Sequence, residues 1–207
     1  CAAGADDQAQ AWLRDMHDAS RSRNYDGVFV YQRGDQLDSM RIIHRYADGA
    51  ESERLISLSG QPREVLRKGN EVTCLFADGD AAHADHSPPR DIIGVGFAAP
   101  VEQLRVSYDF SVVGRDRIAG RPATVIRIKP RDQDRYGYKL WLDDDSKLLL
   151  KSAVLNDRRV LERVEFTQFA VLDEIAPELL EPGIDGQRFS WHSDAGEEGA
   201  PQKALPA

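Results

Sequence analysis

From Gly27 onward the chain is built of short runs in which apolar and polar residues alternate with a period of two. These runs are "GVFVYQ" (27–32), "DSMRIIHRY" (38–46), "SERLISLS" (52–59), "REVLRKG" (63–69), "EVTCLFADG" (71–79), "YDFSVVGRDRI" (108–118), "RPATVIRIKP" (121–130), "RYGYKLWLD" (135–143), "KLLLKSAVLN" (147–156) and "RVLERVEFTQFAVL" (159–172). Alternation of this kind puts successive side chains on opposite faces of an extended strand. The runs are separated by a few residues rich in Gly, Asn and Asp, which are turn formers. Connections that short join antiparallel neighbours only, because a parallel crossover needs a dozen residues or more. The expectation is a mainly β (α+β) fold: an antiparallel meander of about ten strands. Ahead of it, residues 6–23 read as a helix, with Asp6 and Asp7 able to cap its start and Trp12, Leu13, Met16 and Ala19 on one face.

Several strands are apolar on both faces. In "RDQDRYGYKLWLDDDSKLLLKS" (131–152), Tyr136, Tyr138, Leu140 and Leu142 share one face, while Lys139 and Trp141 share the other. "DDDS" (143–146) is the turn between two strands, since Asp side chains hydrogen-bond their own backbone there. In 38–46, Met40, Ile42, His44 and Tyr46 lie on one face and Arg41 and Arg45 on the other. A sheet with one wet face does not need this pattern; a strongly curved sheet with a hollow to fill does. Met40, Ile42, Tyr46, Ile126, Ile128, Leu140 and Leu142 are the candidate inward residues of such a hollow. The loop "DGDAAHADHSPPR" (78–90) and the apolar, aperiodic "DIIGVGFAAPVEQLRV" (91–106) interrupt the meander, and Ile92, Ile93, Val95, Phe97 and Leu104 are the candidate lid over the hollow. The alternative is that the same residues fill an ordinary closed core. Arg41, Arg45, Arg127 and Arg131 are candidate holders of lipid phosphates or partner carboxylates, and a solvated outer face accounts for most of them.

Composition narrows the function. The 207 residues suffice for one sizeable core, and a net charge of −8 with a pI near 5.2 argues against nucleic acid as a partner. No apolar run is long enough to span a bilayer as a helix. "CAAGADDQAQ" resembles the start of a bacterial lipoprotein acylated on Cys1; a cleavage boundary that falls on Cys is the other reading. Cys74 reads as a small buried hydrophobe. His83 and His86, near Asp78, Asp80 and Asp85, match no zinc spacing, "DDD" (143–145) lacks the glycine and distal Glu of a calcium loop, "SLSG" (57–60) is no nucleophile elbow and "GVG" (94–96) is no complete phosphate loop. His44 reads as a satisfied, half-buried histidine. No catalytic constellation, metal or cofactor is expected.

A family likeness rests on "YDFSVVGRDRIAGRPATVIRIKPRDQDRYGYKLWLDDDSKLLLKS" (108–152), with "AWLRDMHDASRSRNYDGVFVY" (11–31), "REVLRKGNEV" (63–72) and "RVLERVEFTQF" (159–169). Taken together these resemble the MucB/RseB family of periplasmic regulators of the envelope-stress sigma factor E. The resemblance implies a half-open antiparallel β-barrel similar to the carriers LolA and LolB, with helices across its mouth and no enzymatic activity. It implies a partner, the periplasmic domain of an anti-sigma factor (RseA or MucA type), shielded from regulated proteolysis. It also implies a response to lipid, lipopolysaccharide or lipoprotein acyl chains. A stand-alone periplasmic lipid or lipoprotein carrier, or a lipid-anchored LolB-like protein, is the alternative. On this reading residues 1–172 form the half-barrel domain, and 173–207 are a linker and disordered tail without the family's C-terminal domain.

Overall fold

A computed structural model describes residues 3–77 and 101–192, with side chains from Asp6 and up to Ser190. Helix α1 (Ala3–Ser22) leads into strands β1 (Asn24–Arg33), β2 (Gln36–Ala47), β3 (Ala50–Ser57), β4 (Arg63–Lys68) and β5 (Glu71–Ala77). A single helical turn, α2 (Val101–Leu104), precedes β6 (Tyr108–Ile118), β7 (Arg121–Pro130), β8 (Gly137–Asp143), β9 (Leu149–Asn156) and β10 (Arg159–Leu172). A 3-10 turn (Pro177–Leu180) and β11 (Gly186–His192) complete the described chain. All pairings are antiparallel, in one 11-stranded sheet of order β11-β5-β4-β3-β2-β1-β10-β9-β8-β7-β6. The mainly β, open-sheet expectation therefore stands, and the sheet is not closed: β11 and β6 are its two edges. It is nevertheless rolled, since β10 and β6 come into contact although three strands lie between them.

Turn chemistry sets the register. The β2–β3 and β6–β7 loops are two residues long, and both residues of each have positive φ: Asp48 and Gly49, then Ala119 and Gly120. That backbone twist matches the twist of the flanking strands. The β8–β9 turn is held differently. Asp143 is fully buried and accepts two hydrogen bonds from Arg121, at 2.9 and 2.8 Å, and two more from the Ser146 amide and hydroxyl. Asp144 accepts from Thr124 at 2.6 Å, whereas Asp145 is solvent-exposed and comes only to 3.9 Å from Arg121. Lys147, at φ 67°, closes the turn and lays its ammonium 3.9 Å from the Trp12 ring of α1. Asp143 and Asp144 thus lock the turn, and Lys147 ties it to the helix.

Two expectations are corrected here. The helix starts at Ala3, so Asp6 lies within its first turns and does not cap it. The Asp6 carboxylate instead accepts from the Phe110 amide of edge strand β6 and from Gln10. The second correction concerns 173–207, read as linker and tail. Residues 186–192 are a full strand, pairing with β5 from Gly186↔Ala77 to His192↔Glu71. The preceding segment is a strap: Ile175 and Leu180 bury Ile43 on the sheet face turned away from α1. Arg45 donates to the Ile175 carbonyl, Arg54 to the Leu179 carbonyl, and the Gly183 amide to Glu64. Arg54 and Glu64 are themselves a buried bidentate pair, at 2.7 and 3.1 Å. A sequence reading misses this because Ile43 sits among arginines and nothing local says what covers it.

Burial alone would raise the Asp143 pKa, but the hydrogen bonds from Arg121 and Ser146 outweigh it and hold the carboxyl below its ordinary value. The folded carboxyl is then harder to protonate than the unfolded one, so its stabilisation is complete above the ordinary carboxylate range and is lost as pH falls through it. Asp143→Asn is expected to cost about 3 kcal/mol, because it takes the buried anion from Arg121 and leaves only the exposed Asp145 at 3.9 Å. Urea denaturation at neutral pH reads the loss, and the mutant should lose less stability than wild type on acidification. A β-carbon at Gly183 would collide with Arg54 Nη2 and crowd the Glu64 carboxylate. Gly183→Ala is therefore expected to loosen the strap, with a loss of about 2 kcal/mol and new protease cuts between residues 173 and 185.

Candidate binding face

The face that meets α1 carries a continuous apolar row. Neighbouring strands align Phe169, Gly27, Ile42, Leu55, Val65, Cys74 and Phe189, from β10 through β1–β5 to β11. Tyr25, Phe29, Phe76, Val164 and Phe166 join these residues in one buried cluster, which also takes in Ala19 of α1. Gly27 has to be glycine: a β-carbon there would lie 2.6 Å from the Phe166 ring. On the other half of the sheet a second cluster gathers Phe110, Ile126, Ile128, Tyr138, Leu140 and Leu142 beneath Ala9 and Leu13 of α1 and Val101 and Leu104 of α2.

Helix α1 therefore crosses the sheet, and polar contacts fix it at both ends. Asp6 holds the β6 edge at the start, and Arg21 pairs with Glu51 of β3 at 3.0 Å near the end. Between them, Arg14 reaches Glu102 of α2 at 3.3 Å. The Arg14 and Arg21 pairs are solvent-exposed and contribute little, so burial of the helix's apolar face supplies most of its attachment.

The sequence candidates distribute unevenly over this face. Ile42, Ile126, Ile128, Leu140 and Leu142 are buried in the two clusters, Leu104 is buried in α2, and Met40 is half-buried against the first cluster. Tyr46 is a correction: it is 38% exposed, because it lies beside the β2–β3 turn on the rim, where α1 has ended. Ile92, Ile93, Val95 and Phe97 of the expected lid, the His83 and His86 loop, and Cys1 lie outside the described residues. Tyr25, Phe29 and Phe166 are members of the first cluster not singled out from sequence, although the alternation Tyr25-Gly27-Phe29-Tyr31 carries the signal.

Cys74 is buried, and burial pushes its thiol pKa up, against a smaller opposing effect of Arg63. His44 is buried as well, stacked on Tyr25 with ring centroids 4.8 Å apart, and its Nδ1 lies 2.9 Å from the Arg23 carbonyl. Of the outer-face arginines, Arg41 is clamped to Asp26 at 2.9 and 2.6 Å, Arg45 holds the strap, and Arg131 pairs with Asp109.

The sequence profile of the MucB/RseB N-terminal domain matches residues 8–184. The chain belongs to the MucB/RseB family. It is 38% identical over 181 residues to the sigma factor AlgU regulatory protein MucB of Pseudomonas aeruginosa, covering 86% of this chain and 56% of that protein. It is 30% identical over 202 residues to the sigma-E factor regulatory protein RseB of Escherichia coli K12, covering 91% of this chain and 64% of that one. The chain thus spans somewhat over half of the length of these relatives. Among solved structures, the complex of Pseudomonas aeruginosa MucA and MucB superposes with a TM-score of 0.72 at 38% identity, over 85% of this chain and 61% of that one. MucB in complex with MucA(peri) gives 0.71, also at 38% identity, over 84% and 60%. An uncharacterised conserved protein of Thermus thermophilus, 14% identical, shares the fold at a TM-score of 0.56 over 87% of this chain and 97% of that one. No helix among the described residues is long and apolar enough to cross a membrane.

Burial lowers the His44 pKa, against smaller raising effects of the Arg23 carbonyl and Glu51; Arg67 adds to the lowering. The folded state therefore prefers the neutral ring, and stability present above the unfolded pKa of about 6.5 is lost as pH falls below it. His44→Gln should flatten stability against pH between about pH 5 and pH 7, as urea midpoints across a pH series would report.

Proposed function

We propose that this domain is part of a periplasmic regulator that binds the periplasmic segment of an anti-sigma factor and restrains its proteolysis. Membership of the MucB/RseB family, together with the match to MucB in complex with MucA(peri), carries the reading. We place the lipid-responsive element at the α1-covered face. Ile42, Ile126, Ile128, Leu140 and Leu142 lie there under a helix held mainly by apolar burial. Acyl chains that displaced α1 would exchange one apolar cover for another. Each methylene moved from water gains about 0.8 kcal/mol, so a chain of ten gains roughly 8 kcal/mol before ordering costs. Such a ligand acts on the partner only by binding the helix-displaced state better than the helix-seated one.

The test follows digestion of the anti-sigma periplasmic segment with and without the full-length protein. Cleavage is expected to slow by at least about tenfold when the regulator binds, equivalent to about 1.4 kcal/mol of protection. Added lipopolysaccharide should restore it, and removing the Asp6 and Arg21 tethers (Asp6→Ala, Arg21→Ala) should lower the amount required. Cleavage at the same rate in all mixtures rejects the regulatory reading. The α1-covered apolar row favours a second reading, a lipid carrier. That reading requires lipid in native mass spectra and transfer between vesicles without any anti-sigma factor.

A further inference from the structure

The sheet face turned away from α1 carries an assembly of cations. Register aligns Ser111, Arg127, Lys139, Ala153, Arg163 and Gln32 across β6, β7, β8, β9, β10 and β1. Lys129 lies two residues from Arg127 on the same strand face, and Trp141 and Lys151 occupy the next row. Lys139 and Lys151 lie over the Trp141 ring at 4.7 and 4.8 Å, and the indole N–H donates to Asp116 at 2.8 Å. Trp141 is buried under these lysines, so it holds their ammonium groups in place and offers no open ring of its own.

The surrounding carboxylates are engaged. Asp109 pairs with Arg131, Glu165 with Lys151, and Asp116 accepts from Trp141. Among the described residues, Arg127, Lys129, Lys139 and Arg163 have no carboxylate within 4.0 Å, and Arg163 Nε is buried without a hydrogen-bond partner. This concentration of unpaired cations sits in a chain whose net charge is −8. Leaving like charges together on adjacent strands is unfavourable unless an anion spans them.

We propose that this face is a docking surface for an acidic polypeptide segment, bound across strands β7 to β10 by Arg127, Lys139 and Arg163 with Lys129 alongside. Neighbouring strands stand about 4.8 Å apart, and an extended peptide presents same-side carboxylates about 7 Å apart, a spacing long Arg and Lys side chains can follow. The interspersed Asp109, Asp116 and Glu165 favour a peptide with separated charges over a continuous anionic membrane surface, which would meet these carboxylates as well. The surface is independent of the α1-covered face and does not rest on the lipid or anti-sigma reading above.

A capped, fluorescently labelled glutamate decapeptide is the probe, titrated by anisotropy against the full chain. Saturable binding is expected, weakened by added salt and reduced at least about tenfold in Arg127→Glu/Lys139→Glu. Lys68→Glu/Arg105→Glu changes the net charge equally at other sites and should stay within about twofold of wild type. Circular dichroism of both double variants guards against unfolding. Absence of peptide binding, equal losses in the two variants, or binding only to phosphatidylcholine–phosphatidylglycerol vesicles would each overturn the proposal.

Discussion

Among the described residues, the fold depends on burying one face of a rolled sheet beneath helix α1, with α2 beside it over the β6–β8 side. An open sheet of this length cannot cover its own inner face, since its edges β11 and β6 do not meet. Helix α1 supplies the cover, with Ala9 and Leu13 over the β6–β8 side and Ala19 over the β1–β5 side. One element thus joins two apolar clusters that the sheet alone would leave facing water. This makes the helix a structural requirement of the face it covers. Its polar ties to β6 and β3 fix position more than affinity.

The opposite face is organised on another principle. Near β2–β4 it is covered by the strap, whose carbonyls and amide satisfy the Arg45, Arg54 and Glu64 side chains. A buried ion pair such as Arg54–Glu64 is not in itself a strong source of stability. Its use here is positional: it accepts only a backbone that brings the Gly183 amide to Glu64, and so delivers the chain to the β5 edge as β11. Pairing that edge removes a row of free strand hydrogen-bonding groups from solvent. Further along the same face, around Trp141, no segment of the described chain plays that covering role, and the cations there stand open.

Legibility followed the range of the interactions. Strands β1 to β10 were readable because alternation and turn residues are local signals, and the "DDDS" turn was correctly placed as the β8–β9 connection. What Asp143 does there was not readable: its partner Arg121 is far away in sequence and reaches it only through the β7–β8 pairing. The apolar faces of β7 and β8 were assigned correctly, so Ile126, Ile128, Leu140 and Leu142 fall together. Tyr46 shares the parity of Ile42 but not its burial, because parity does not say where the covering helix ends. Strand β11 was missed since its sequence "GQRFSWH" is polar and short, and its strand character comes from pairing with β5.

The sequence by itself determined two antiparallel meanders, β1–β5 and β6–β10, the positions of their tight turns and the parity of each strand, because these follow from steric and hydrogen-bonding preferences of residues within a few positions of one another; the β1–β10 pairing that joins them does not. Its motifs were also enough to point to the MucB/RseB family. Only the tertiary structure decided how the sheet rolls, where α1 lies across it, which carboxylate answers which arginine, and which cations go unanswered. Those outcomes depend on groups brought together from distant parts of the chain, and the side chains that meet are chosen by curvature and register rather than by any local pattern.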